Sequence, residues 1–155
     1  MIDQWAAERP DLDTVPMAVY GRIYRIARAM GDLVEQEYRR LGVSRGEFDV
    51  LGTLRRSGEP FTLSPRELSA TLMLTTGGMT GRLDKLEQAG LLVRSPDPHD
   101  RRGLRVTLTE AGREVADRAI AAGLNRQHLA FDAVLTEAEG HQLGELLRKL
   151  LSAHE

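Results

Sequence analysis

The stretch "LMLTTGGMTGRL", Leu72 to Leu83, decides the fold. Helical sequence runs on both sides of it, yet Gly77, Gly78 and Gly81 fall within five residues. A glycine inside a helix costs about 1 kcal/mol relative to alanine. Just upstream, "SPREL" opens a short helix with Ser64, Pro65 and Glu67 in capping-box order. Downstream, Met79, Leu83 and Leu86 share one face until Gly90 stops the helix. Two short helices joined by a tight turn read as a helix-turn-helix, and the glycines then have a use. The first turn of a recognition helix meets the DNA major groove beside phosphates, where a missing Cβ lets backbone N–H groups approach. Thr75, Thr76 and Thr80 add hydroxyls, Ser64 adds another at the start of the first helix, and Lys85 is a natural phosphate contact. The competing reading is a poorly formed helix start in a plain helical bundle.

The residues that follow change period. In "LLVRSPDPHDRRGLRVTLT", Leu104, Val106 and Leu108 alternate with Arg105 and Thr107, and Leu91 to Arg94 supply a partner strand. One β-hairpin directly after the second helix makes the motif winged. At its polar turn, Arg101 and Arg102 are expected to reach a minor groove, whose potential favours arginine. Asp100 is expected to pair with a neighbouring arginine and stiffen the wing, and Arg94 is a candidate partner.

The flanks are helical. Thr14 and Pro16 start a long helix that closes at Gly42, with Val19, Ile23, Ile26, Met30 and Leu33 on one face. A capping box at Ser44 and Glu47 opens the next helix, which ends at Gly58. After the hairpin, Thr109 caps a helix expected to reach about Leu135. Thr136 and Glu139 cap a last helix bearing Leu143, Leu146, Leu147, Leu150 and Leu151. The fold class is therefore mainly α with one β-hairpin, in a single domain spanning 1–155 and built around a winged lobe at 43–109.

Composition sets limits. Net charge is −2, with no cysteine, so disulfides and thiolate metal sites are excluded and a cytoplasmic protein is expected. No apolar run approaches a membrane span, and the N-terminus does not read as a signal peptide. Charge is uneven: Ser64 to Arg105 holds seven Arg or Lys against five Asp or Glu, and Val106 onward holds five against eight. A locally basic middle fits a segment that meets an anion. The histidines, His99, His128, His141 and His154, match no metal-ligand spacing, and no nucleophile motif or phosphate loop is present. The sequence is read as a non-enzyme without a cofactor. A winged helix that binds a partner protein instead of DNA is the main alternative.

With these residues in place, the chain resembles the MarR family of winged-helix transcription regulators. The resemblance rests on "DRRGLRVTLT", Asp100 to Thr109, which has the D-x-R-x5-L-T wing pattern, and on "LSPRELSATLMLTTGGMTGRLDKLEQAGLLVR" before it. It implies a homodimer interlocked through 1–42 and 110–155, two winged lobes on a pseudo-palindromic operator, and a repressor released by a small ligand. The segment "QWAAERPDLDTVPMAVYGRIYRI" is similar to the added N-terminal helix of the urate-responsive branch. That similarity implies a pocket built from Trp5, Asp49, Arg82 and Arg94. Its effector would be a small anion or aromatic compound such as urate, with aromatic acids and citrate-like carboxylates as alternatives. The two arginines would hold the anion, Asp49 would accept N–H groups and Trp5 would stack.

Overall fold

The computed structural model describes residues 2–73, 75–98 and 100–153. A seven-residue helix α1 (Ile2–Glu8) precedes the 26-residue α2 (Val15–Arg40). The lobe then runs α3 (Arg45–Arg56), β1 (Thr62–Leu63), α4 (Pro65–Leu72), α5 (Thr76–Gln88), β2 (Leu92–Asp97) and β3 (Asp100–Leu108). Helices α6 (Glu110–Asp132) and α7 (Glu137–Leu151) follow.

Helix starts are set by side chains that satisfy the first orphan N–H groups. Ser44, Ser64 and Thr136 each form a reciprocal capping box with the glutamate three residues on. Thr75 and Thr109 accept from the N–H groups of Gly78 and Gly112. Thr14 is the exception: its side chain makes no cap, and Asp13 instead accepts from the Val15 N–H at 2.9 Å. Helix stops at Gly42 and Gly90 have φ of +80° and +71°, a conformation that a side chain disfavours.

The sheet has three antiparallel strands in the order β1-β3-β2. The hairpin was expected; β1 was not. It contributes two residues, Thr62 opposite Thr107 and Leu63 opposite Val106, with the two threonine hydroxyls 2.8 Å apart. The hairpin is also longer than expected. Ser95 to Asp97 lie in β2, and Asp100 pairs opposite Asp97. Arg101 and Arg102 therefore belong to β3 rather than to a turn. Helix α6 ends at Asp132, three residues short of the expected stop.

The core is that of the lobe. Val50, Leu51 and Leu54 of α3, Leu68 of α4, Met79, Leu83 and Leu86 of α5, and Leu92 and Val106 of the sheet are almost fully buried. Val34 and Tyr38 of α2 and Ala116 and Ala119 of α6 extend it. Helix α7 has no buried residue, and Val19 and Ile26 on the apolar face of α2 are exposed.

Where α6 starts, its backbone lies against the end of α5. A Cβ on Gly112 would sit 1.9 Å from the Leu91 carbonyl oxygen, a backbone atom that cannot yield locally. Gly112→Ala is expected to cost about 3 kcal/mol, at the upper end of ordinary overpacking, and urea denaturation of the two proteins measures it.

Candidate nucleic-acid interface and effector cleft

Helix α5 turns Met79, Leu83 and Leu86 inward, so the opposite face is fixed by helical geometry. That face carries Gly77 and Gly81, at each of which a Cβ would meet nothing within 4 Å. Among the described residues no neighbour requires glycine there. Thr75 caps the helix with its oxygen while keeping its hydroxyl proton to donate. Gly77 and Thr80 are exposed, and Lys85 stands with 75% of its side chain in solvent, 4.0 Å from Glu47 at its nearest. Ser64 sits at the N-terminus of α4 and shares a cleft with Arg66, Thr80, Asp97 and Asp100. Arg66 is exposed and was not singled out from the sequence, because one arginine after a proline has no spacing that marks it. The side chains of Thr76, Arg101 and Arg102 lie outside the described residues.

The wing carries an ion pair that the sequence did not suggest. Asp97 pairs with Arg105 at 2.9 Å, and Gly103 allows Asp97 and Asp100 to pack over it, since a Cβ would sit 2.9 and 3.0 Å from theirs. Arg94 is not the partner of Asp100. Its guanidinium binds Glu87, with Nε to Oε2 at 2.9 Å, and Asp84, with Nη2 to Oδ1 at 2.7 Å. Its backbone N–H also donates to Glu87, at 3.0 Å. These bonds hold the Glu87 carboxyl below the usual range and the Arg94 guanidinium above its own.

Of the four residues of the expected ligand pocket, two interact within this chain. Asp49 and Arg82 are brought near each other: Arg82 crosses Gly46 of α3, donating to its carbonyl at 3.1 Å. Arg94 is held by its two carboxylates, and Trp5 on α1 is 48% exposed. Asp49 instead lies between two clefts. One, of about 330 Å³, is lined by Phe48, Arg56, Leu72, Ala116 and Ile120 among others. The other, of about 160 Å³, is lined by Tyr38, Arg45 and Gln127. Burial pushes the Asp49 carboxyl up, and Arg45, Arg82 and Arg56 pull it partly back. Arg45 and Arg56 were missed because nothing local ranks one helix arginine above another.

A model of the MarR family matches residues 41–103, the stretch from the end of α2 into the wing. The whole chain aligns at 35% identity with the HTH-type transcriptional regulator PecS of Dickeya dadantii, covering 90% of that protein. The chain belongs to the MarR family. The multiple antibiotic resistance protein MarR of Salmonella typhimurium is 30% identical over 83% of this chain and 88% of its own length. A mutant MarR from E. coli, solved in complex with operator DNA, superposes with a TM-score of 0.73 at 27% identity, over 88% of this chain and 94% of that one. These MarR-family relatives are transcriptional regulators, not enzymes. Among the described residues no helix is long and apolar enough to cross a membrane.

Two outcomes follow from this geometry. Replacing Gly77 and Gly81 together by alanine is expected to raise the melting temperature, by up to about 1 kcal/mol of stability per site, while weakening DNA binding. Thermal denaturation and DNA titration of one preparation read both signs, and a helix start of no functional use would leave binding untouched. For Asp49, the folded state holds the proton more tightly than the unfolded chain does. Stability is then lost as pH rises from the unfolded value through the raised folded one. Asp49→Asn is expected to remove that loss, so that its melting temperature matches or exceeds the wild type at pH 7 and shifts further upward, or less far downward, than the wild type's between pH 4 and 7.

Proposed function

We propose that the chain is a ligand-responsive repressor that binds operator DNA as a homodimer. The observation that carries the reading is the outward face of α5: glycine where packing does not ask for it, a threonine cap and a solvated lysine, next to a β-hairpin. In the MarR relative from E. coli the operator complex is the subject of the solved structure, which supports placing α5 in a major groove here. The hairpin would follow the flanking minor groove.

Homodimerisation is supported by apolar surface that one chain leaves open. Tyr24, Ile26, Leu129, Val134, Leu146 and Leu151 are all more than half exposed, on α2, the end of α6, the turn after it and α7. A second copy covering these helices would set the distance between two α5 helices, and half-sites on one face of DNA require roughly 34–36 Å. An effector held near Asp49, Arg45 and Arg82 would act on that distance, because Arg82 belongs to α5 itself. It needs only a difference in affinity between the two spacings to release DNA. The cationic surroundings of Asp49 favour a small anion, urate or an aromatic acid, with a donor group for the carboxylate.

Fluorescence anisotropy on labelled DNA from the gene's own upstream region tests this. Binding that weakens steeply with salt and is reversed by urate at micromolar to millimolar concentration is the expected result. Arg82→Ala is expected to blunt the release by tenfold or more. Binding that is insensitive to salt would favour a protein-interaction module, and binding that ignores urate would transfer the effector role to aromatic acids or citrate, tested on the same complex.

A further inference from the structure

We propose that Arg94 is a positioning residue which fixes the angle of the wing against α5, rather than a contact to effector or phosphate. The inference rests on the DNA-binding reading above.

The hairpin has two mechanically different parts. At its root, β3 lies between two strands, with Leu63 of β1 and Arg94 of β2 both opposite Val106. Beyond that pair β1 ends, and Ser95 to Asp97 with Asp100 to Arg105 stand as two strands alone. Arg94 is therefore the fulcrum. The outer part is stiffened internally by the Asp97–Arg105 pair but touches no third strand there. Its direction depends on what holds the root, together with the start of α4, where Ser64 and Pro65 share a cleft with Asp97, Gly103 and Leu104. A tip three or four residues farther out lies about 10–13 Å away, so a tilt of about 10° would move it by about 2 Å.

Arg94 meets this need from both sides of its own backbone. Its amide and guanidinium together bind the Glu87 carboxylate, and Nη2 reaches Asp84 one turn earlier on α5. A planar fork that spans two carboxylates fixes direction as well as distance. The pairing also uses every carboxylate that α5 carries, so the same arginine shields the reading helix from repelling phosphate. Positioning and shielding make different predictions when the carboxylates are neutralised.

The experiment measures DNA affinity of the full-length protein at several salt concentrations for wild type, Arg94→Ala, Glu87→Gln, and the triple variant Arg94→Ala, Asp84→Asn, Glu87→Gln. Circular dichroism and melting temperature run alongside. The pairs are partly exposed, and their loss is expected to matter little to global stability, which the melting temperatures check. Arg94→Ala is expected to keep its fold, lose tenfold or more in affinity, and show a shallower dependence on salt because wing–phosphate contacts are lost. Glu87→Gln is expected to lose a smaller factor in the same direction, and it decides the matter should Arg94→Ala not fold. The triple variant is expected to stay weak. Recovery of wild-type affinity in the triple variant would show that Arg94 only screens charge, and unchanged affinity and salt slope in Arg94→Ala or Glu87→Gln would remove the role altogether. Absence of salt-dependent DNA binding by the wild type would instead overturn the DNA-binding reading itself.

Discussion

One buried seam decides where everything else in the lobe can face. Helix α3 inserts Val50, Leu51 and Leu54, none of them measurably exposed, against Leu68 of α4, the Met79, Leu83 and Leu86 face of α5, and Leu92 and Val106 of the sheet. Fully burying a side chain of this size stabilises by about 2 kcal/mol, so no surface interaction in the lobe competes with it. Because α5 has 3.6 residues per turn, committing positions 79, 83 and 86 to the seam commits 77, 81, 84, 85 and 88 to the far side. The outward face of α5 is thus an indirect product of core packing. Glycines at 77 and 81 do not disturb that packing; they only thin the surface that packing has turned outward.

The same seam explains why the chain is closed at one end and open at the other. The lobe satisfies its apolar residues within one copy. Helices α2, α6 and α7 do not: the buried part of α2 is confined to Val34 and Tyr38, near the lobe, and its first half keeps Val15, Met17 and Val19 exposed. Helix α7 buries nothing, although it is amphipathic and well capped. At Gly140 it meets the Phe131 ring of α6, which occupies the space a Cβ there would take. Such a helix leaves its leucine stripe for the proposed second copy to cover.

Much of this was legible because the signals are local. Serine or threonine followed three residues later by glutamate located three helix starts, and glycine located the stops. Three-to-four spacing found the core face of α5, and two-residue alternation found β3. Strand β1 escaped notice because two residues cannot show a period, and its pairing to Thr107 spans 45 positions. The site was harder for the same reason. Arg94 meets carboxylates seven and ten residues earlier, across a change from helix to strand, where no single periodicity applies. All four residues of the expected pocket entered it by similarity to one branch of the family. Asp49 and Arg82 are close because α3 and α5 pack together, whereas α1 is packed against no other element to any comparable extent.

A net charge of −2 is no advertisement for binding a polyanion, but net charge counts carboxylates wherever they point. In the lobe most of them are already engaged. Glu47 and Glu67 close capping boxes, accepting from Ser44 and Ser64, and those bonds hold the Glu67 carboxyl low. Asp84 and Glu87 are held by Arg94, and Asp97 by Arg105. Lys85 and Arg66 stay solvated, at the end of α5 and the start of α4. A phosphate approaching α5 would therefore meet N–H groups at the helix start and cations beside it, with the nearest carboxylates neutralised by partners that also shape the lobe. The field at that face follows from these pairings, and the acidic surplus of the chain is spread over helices that the DNA need not approach.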